Sequence, residues 1–186
     1  MNMAYTESNM LPLGTKAPDF TLPDTISGEP VTLYKQEPAR ATLLMFLCNH
    51  CPYVLHVNPE IVRIVAQYEP AGVRFIGISA NDADKYPQDG PEKMKIHAKE
   101  TGYTFPYLYD ESQEVAKAYD AACTPDFYLF DDQLSLVYRG RIDRSRPGNE
   151  FPLDGSDLRQ AIETVLAGKE ISPLQYPSAG CNIKWK

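Results

Sequence analysis

Two cysteines separated by two residues, Cys48-Asn49-His50-Cys51, are the part of this chain best suited to chemistry. That spacing brings two sulfurs near enough to bond with little backbone movement. One thiolate can then attack a disulfide while the other resolves the mixed intermediate. His50 lies between them. As an imidazolium it would stabilise a neighbouring thiolate and make the disulfide a stronger oxidant; as a solvated side chain at a helix start it would do neither. Half a zinc site is a competing reading. Tetrahedral zinc takes four ligands, usually as two close pairs, whereas Cys123 and Cys181 stand alone and His56 and His97 form no second pair. Two inert buried cysteines are the other alternative.

The elements around the pair favour the redox reading. Residues 41–47 (ATLLMFL) form a continuous apolar run, which predicts a strand buried on both faces of a mostly parallel sheet. Residues 52–68 carry Val54, Leu55, Ile61, Val62, Val65 and Tyr68 at helical spacing, with Pro52 suited to a first helical position. Pro59 predicts a kink or break in that helix. The CxxC thus falls at a strand–helix junction and places both sulfurs in the first helical turn. Unpaired N–H groups and the positive end of the helix dipole favour thiolate there.

The remaining pattern predicts an α/β sandwich around one sheet. Residues 14–22 and Val31-Thr32-Leu33 read as a small leading hairpin, and residues 73–79 as a second buried strand. Residues 92–101 read as a helix closed by Gly102, 105–109 as a short strand, and 112–119 as a helix. Residues 127–130 and 134–138 read as an antiparallel pair, and 156–166 as the last helix. Residues 1–13 are expected to form a mobile N-terminal tail, 14–170 one domain, and 171–186 an irregular tail docked through Ile183 and Trp185.

The second feature is Cys123-Thr124-Pro125-Asp126, immediately before the apolar strand 127–130. A Pro opening a strand is most simply an edge or turn residue. A cis proline there would turn the chain sharply and leave the Thr124 backbone free to pair with an extended substrate segment.

Composition narrows the function classes. The 186 residues are 43% hydrophobic and 23% charged, as in an ordinary globular protein. The net charge of −7 and a pI near 5.0 argue against nucleic acid as a partner. No apolar run approaches the about 20 residues of a membrane span. The N-terminus lacks the basic and apolar stretches of a secretory signal, so the expected address is cytoplasmic, where catalytic or metal-binding cysteines are commoner than structural disulfides.

Strand, CxxC and helix, followed by Thr124-Pro125 before the penultimate hairpin, resemble the thioredoxin superfamily. Ala17-Pro18-Asp19-Phe20-Thr21-Leu22 is similar to the opening of the peroxiredoxin (AhpC/TSA) and TlpA-type branch, and residues 46–52 (FLCNHCP) resemble the peroxiredoxin active-site segment. The resemblance spans residues 14–186 and implies a thioredoxin-like three-layer α/β/α sandwich around a mixed sheet. It also implies a thiol–disulfide oxidoreductase, with thiol-dependent peroxide reduction as a peroxiredoxin-like extension. No organic cofactor follows; the partners would be a dithiol reductant, a disulfide protein or peroxide, and the chain a monomer or homodimer.

Two departures matter. Leu47 stands where thioredoxins carry Trp, and Cys48 where peroxiredoxins carry the Thr that orients peroxide. The thioredoxin analogy makes Cys48 the nucleophile; the peroxiredoxin analogy makes Cys51 the peroxidatic residue and Cys48 its resolver. Both end in a Cys48–Cys51 disulfide. The peroxiredoxin resemblance also implies an Arg beside the thiolate, with Arg139 the best positional match and Arg141 second.

Three points stay open on sequence. Cys181 could fold back near Cys123 or the active site and relay oxidation, or Cys123 could be a small buried hydrophobe and Cys181 a surface thiol. Arg139, Arg141, Arg144 and Arg146 form either a patch for an acidic partner or a salt-bridged loop. A copper- or zinc-binding chaperone and a non-catalytic interaction domain remain alternatives to the enzyme.

Overall fold

Every residue of Ala41–Phe46 is buried because that strand lies at the centre of a sheet covered on both faces. A computed structural model describes residues 5–186 and supplies the order of elements. They are β1 (Tyr5–Glu7), β2 (Thr21–Pro23), β3 (Pro30–Thr32), β4 (Ala41–Phe46), α1 (Pro52–Tyr68), β5 (Val73–Ser79) and α2 (Pro91–Thr101). There follow β6 (Tyr107–Tyr109), α3 (Glu114–Ala118), β7 (Cys123–Thr124), β8 (Asp126–Asp131), β9 (Leu136–Gly140), α4 (Ser156–Leu166) and β10 (Ala179–Asn182).

The main sheet runs β6-β5-β4-β8-β9. β4, β5 and β6 are parallel, while β8 is antiparallel to β4 and β9 to β8. Successive side chains on a strand point to opposite faces, and the two cores divide accordingly. Leu43, Met45, Phe75, Phe127 and Leu129 pack with Val54, Ile61, Ile64 and Val65 of α1, Met94 of α2 and Leu158 of α4. Leu44, Phe46, Ile76, Ile78, Tyr128 and Phe130 face Phe20, Leu33, Ala116 and Tyr119. This is the thioredoxin-like mixed-sheet sandwich expected. The leading hairpin is β2 paired with β3, and Gly102 closes α2 in the left-handed region at φ 85°.

Three expectations need correction. α1 is unbroken from Pro52 to Tyr68 despite Pro59. The buried face on either side of that proline, Val54 and Val57 before it and Ile61 and Ile64 after, stays packed on the sheet and outweighs one missing backbone bond. Tyr5–Glu7, expected within a mobile tail, is a strand, and Leu11 and Leu13 pack against the core; residues 1–4 lie outside the described residues. In the C-terminal segment Ile183 is buried but Trp185 stays exposed, and the segment is not irregular throughout. Its residues Ala179–Asn182 form β10, the middle strand of a second sheet, β1-β10-β7. Nothing local signals this strand, because a Gly-Cys-Asn run has weak strand preference and only its tertiary partners fix it. Among the described residues no helix is long and apolar enough to cross a membrane.

Candidate active site

Register carries the two cysteine-bearing segments together. β4 and β8 are antiparallel and their ladder ends at Phe46 opposite Asp126. One and two residues further along, Leu47–Cys48 and Pro125–Thr124 continue past that pair side by side. Cys48 Sγ lies 3.3 Å from Thr124 Oγ1, and Cys51 Sγ lies 3.4 Å from the Thr124 carbonyl oxygen. The Thr124–Pro125 peptide is cis.

The two cysteines do not share the first turn of α1, as the spacing alone suggested. Cys51 is the N-cap, with φ −70° and ψ 124°, and Pro52 opens the helix. Cys48 lies three residues earlier, two residues past the end of β4. This difference separates their acidities. Cys51 is pushed well below an ordinary thiol by hydrogen bonds from the Cys181 and Cys48 side chains, with further support from the backbone amides of Val54 and Cys181. Cys48 is pushed up by its bond to Cys51, by burial and by the Asp89 charge. Cys181 is likewise raised, first by its contact with Cys51. Two neighbouring thiols and two amides thus favour the Cys51 thiolate, against a contact with the Thr124 carbonyl oxygen that favours the thiol. Cys48, Cys51 and Cys181 are 1%, 0% and 2% exposed.

His50 meets a residue that the sequence did not single out. Its Nδ1 lies 2.6 Å from Asp89 Oδ2, and the contact raises the His50 pKa against the opposing effect of burial. Asp89 is fully buried. It also accepts the Asn49 backbone N–H at 2.8 Å and Asn81 Nδ2 at 2.8 Å, while the Tyr107 hydroxyl donates to Asn49 Oδ1 at 3.0 Å. Asp89, Asn81 and Tyr107 therefore hold the two residues between the cysteines. Asp89 sits in a polar loop with two other acids, Asp82 and Asp84, and only the fold distinguishes it from them. Cys48, His50 and Asp89 also bring one sulfur, one ring nitrogen and one carboxylate oxygen within 4.8 Å of one another.

Other expected site residues lie elsewhere. The Arg139 guanidinium donates to Leu11 O at 2.8 Å and Gln175 Oε1 at 2.9 Å, so it ties the two ends of the chain to β9 instead of facing a sulfur. Arg141 pairs with Asp157 at 2.5 Å and stacks on Tyr176. Arg144 and Arg146 lie over Phe151 and Tyr5. The arginine cluster is thus occupied within the chain. Cys123 is buried, with Sγ 3.9 Å from Pro125 O, and burial pushes its thiol up.

A second buried acid sits beside Pro125. Asp126 accepts the Ser8 hydroxyl at 2.8 Å, the Phe127 N–H at 3.1 Å and the Tyr128 hydroxyl at 2.9 Å, yet burial outweighs these donors and raises its pKa to about 7. A carboxyl raised above its unfolded value of about 3.9 keeps its proton in the folded state across the interval where the unfolded chain has lost it. Stability should therefore fall as pH rises from about 4 to about 7. Asp126→Asn is expected to remove this contribution, on the order of 4 kcal/mol between the two ends of that window. Urea unfolding of both proteins from pH 4 to pH 8 checks it: parallel pH profiles would contradict the assignment.

The sequence matches the model of the AhpC/TSA family over residues 13–139. A solved structure of an uncharacterized conserved protein from Geobacillus kaustophilus is 54% identical, superposes with a TM-score of 0.97, and covers 100% of this chain and 98% of its own. The thiol-disulfide oxidoreductase ResA of Geobacillus thermodenitrificans is 24% identical over 87% of this chain and 82% of that protein. A Mycobacterium tuberculosis protein described as "Putative peroxiredoxin Rv2521" is 30% identical over 62% of this chain and 68% of that protein.

Proposed function

The chain belongs to the AhpC/TSA family, and from that premise we propose that it is a thiol–disulfide oxidoreductase whose working couple is Cys48–Cys51. The observation that carries this reading is the placement of Cys51: an N-cap thiol whose ionised form is favoured by two amides and two thiols, with Cys48 in contact. In the reductive direction, the Cys51 thiolate attacks one sulfur of a substrate disulfide and expels the other as a thiolate. Cys48 then gives up its proton and attacks Cys51 in the mixed disulfide. A second thiol leaves, and the chain holds Cys48–Cys51. Two electrons have passed to the substrate, together with the Cys48 proton; the second substrate thiolate takes its proton from solvent. A dithiol reductant reverses this, so a reducing compartment, the cytoplasm, belongs to the same proposal.

Burial shapes the substrate class. Sulfurs exposed at 1% or less favour small oxidants over a folded protein. Hydrogen peroxide fits that limit. The Cys51 thiolate would take one oxygen, hydroxide would leave, and Cys48 would condense with the sulfenic acid to release water and form the same disulfide. The relative described as a peroxiredoxin supports this extension.

A redox titration against a dithiothreitol couple, with peroxide as a separate oxidant, tests both levels. The expected result is one two-electron transition that converts Cys48 and Cys51 together, with peroxide reaching the same end point. A chain whose two thiols stay free under every poise would sink the reading. Metal binding has one observation of its own, the Cys48–His50–Asp89 cluster. Stoichiometric zinc or copper retained through dialysis, and lost in Asp89→Asn, would favour it.

A further inference from the structure

β10 occupies the edge on which this site would receive an extended substrate. It pairs antiparallel with β7, and Cys181 stands directly opposite Thr124, the residue that touches both Cys48 and Cys51. On its other side it pairs with β1, Cys181 opposite Tyr5. Its ends are fastened. Ser178 Oγ donates to Pro125 O at 2.5 Å, the Ile183 N–H to Ala122 O at 3.0 Å, and the Lys184 N–H to Asn81 Oδ1 at 2.9 Å. Gly180 permits the close approach, because a Cβ there would lie 1.9 Å from the Thr124 carbonyl oxygen. β10 also lies against α1, and the Cys181 side chain meets Cys51.

We propose that β10 is a built-in substrate strand and that Cys181 is a third redox-active thiol, exchanging with the Cys48–Cys51 couple to form a Cys51–Cys181 disulfide. The inference rests on the oxidoreductase reading above and assigns a further partner to its central sulfur. In the exchange, Cys181 loses its proton and its sulfur attacks Cys51. The Cys51–Cys48 bond breaks as Cys51–Cys181 forms, and Cys48 leaves with the electron pair and takes up the proton. One disulfide is consumed and one is made, so no further oxidant enters. The outcome returns Cys48 to its thiol form and covalently fastens the C-terminal strand to the start of α1.

The test uses the full chain and its Cys48→Ser and Cys48→Ser/Cys181→Ser variants, treated with oxidised glutathione and, separately, with diamide. Disulfides are mapped on non-reduced tryptic peptides. Cys48 and Cys51 share the peptide between Arg40 and Arg63, so their bond shifts one peptide, whereas Cys51–Cys181 joins two. Cys48→Ser is expected to convert most chains to the Cys51–Cys181 disulfide and to retain no glutathione. The double variant is expected to hold glutathione on Cys51. The proposal is overturned if Cys48→Ser yields no Cys51–Cys181 bond with either reagent while the unmutated chain forms Cys48–Cys51. If the unmutated chain forms neither a Cys48–Cys51 nor a Cys51–Cys181 bond, it is the oxidoreductase reading that fails.

Discussion

Cys51→Ser is expected to abolish disulfide turnover, by on the order of a thousandfold or more, whereas Cys48→Ser should still complete one round of attack. The asymmetry follows from the positions of the two sulfurs. Cys51 caps α1 and receives the amides of Val54 and Cys181 as well as two thiols. Cys48 precedes the helix, and burial and the Asp89 charge both oppose its ionisation. The proposed reading therefore makes Cys51 the sulfur that attacks near neutral pH. Its alkylation by iodoacetamide should show the sign of this shift: the rate stays flat between pH 6 and pH 9, where an ordinary thiol with a pKa of about 8.5 would accelerate. In Cys48→Ser/Cys181→Ser, which lacks both thiols that meet Cys51, oxidised glutathione should still react at Cys51, release one equivalent of glutathione and leave the other on the protein, visible by intact mass. A silent Cys48→Ser/Cys181→Ser beside a labelled Cys51→Ser would move the nucleophile to Cys48.

The reactive pair could be read from local pattern because its position depends on local pattern. A six-residue apolar strand, a CxxC and a helix opened by Pro52 are contiguous, and so are the strand and hairpin after Pro125. The period-two division of β4 and β8 between two cores likewise follows from residue order. What decides which sulfur ionises is not contiguous. Asp89 comes from a polar loop 38 residues beyond Cys51, where two other acids, Asp82 and Asp84, look equally eligible. Cys181 arrives from the far end of the chain on a strand with no apolar alternation. Arg139 misled for the opposite reason. Its place in the late hairpin matched the resemblance, but β9 directs it to Leu11 and Gln175, partners supplied by the two terminal segments.

Gly180→Ala is expected to lower stability by about 3 kcal/mol, the upper end of ordinary overpacking costs, and to raise the alkylation rate of Cys51 on the order of tenfold through loss of its cover. Gly180 has no left-handed backbone to protect, so the requirement is one of space. The added Cβ would lie 1.9 Å from Thr124 O, 2.8 Å from Thr124 C and 3.2 Å from Pro125 Cδ. Backbone and a proline ring cannot swing aside as a flexible side chain does, and Thr124 is held next to the β4–β8 ladder. The strand must therefore lift. Lifting breaks the pairing of Cys181 with Thr124 and exposes Ala179, Cys181 and Ile183, all buried at 6% or less. It also removes the Cys181 amide and thiol from Cys51, so alkylation should regain part of the pH dependence that the intact site lacks. Gly148→Ala is the control. Its φ of 86° carries a conformational cost but nothing lies within 4 Å of the added methyl, so stability should drop by about 1 kcal/mol with Cys51 as protected as before. Urea unfolding and timed iodoacetamide labelling report the two quantities. If Gly180→Ala were as stable and as protected as the parent chain, β10 could not be seated on Thr124, and the supply of charge-stabilising groups to Cys51 would have to come from α1 and Cys48.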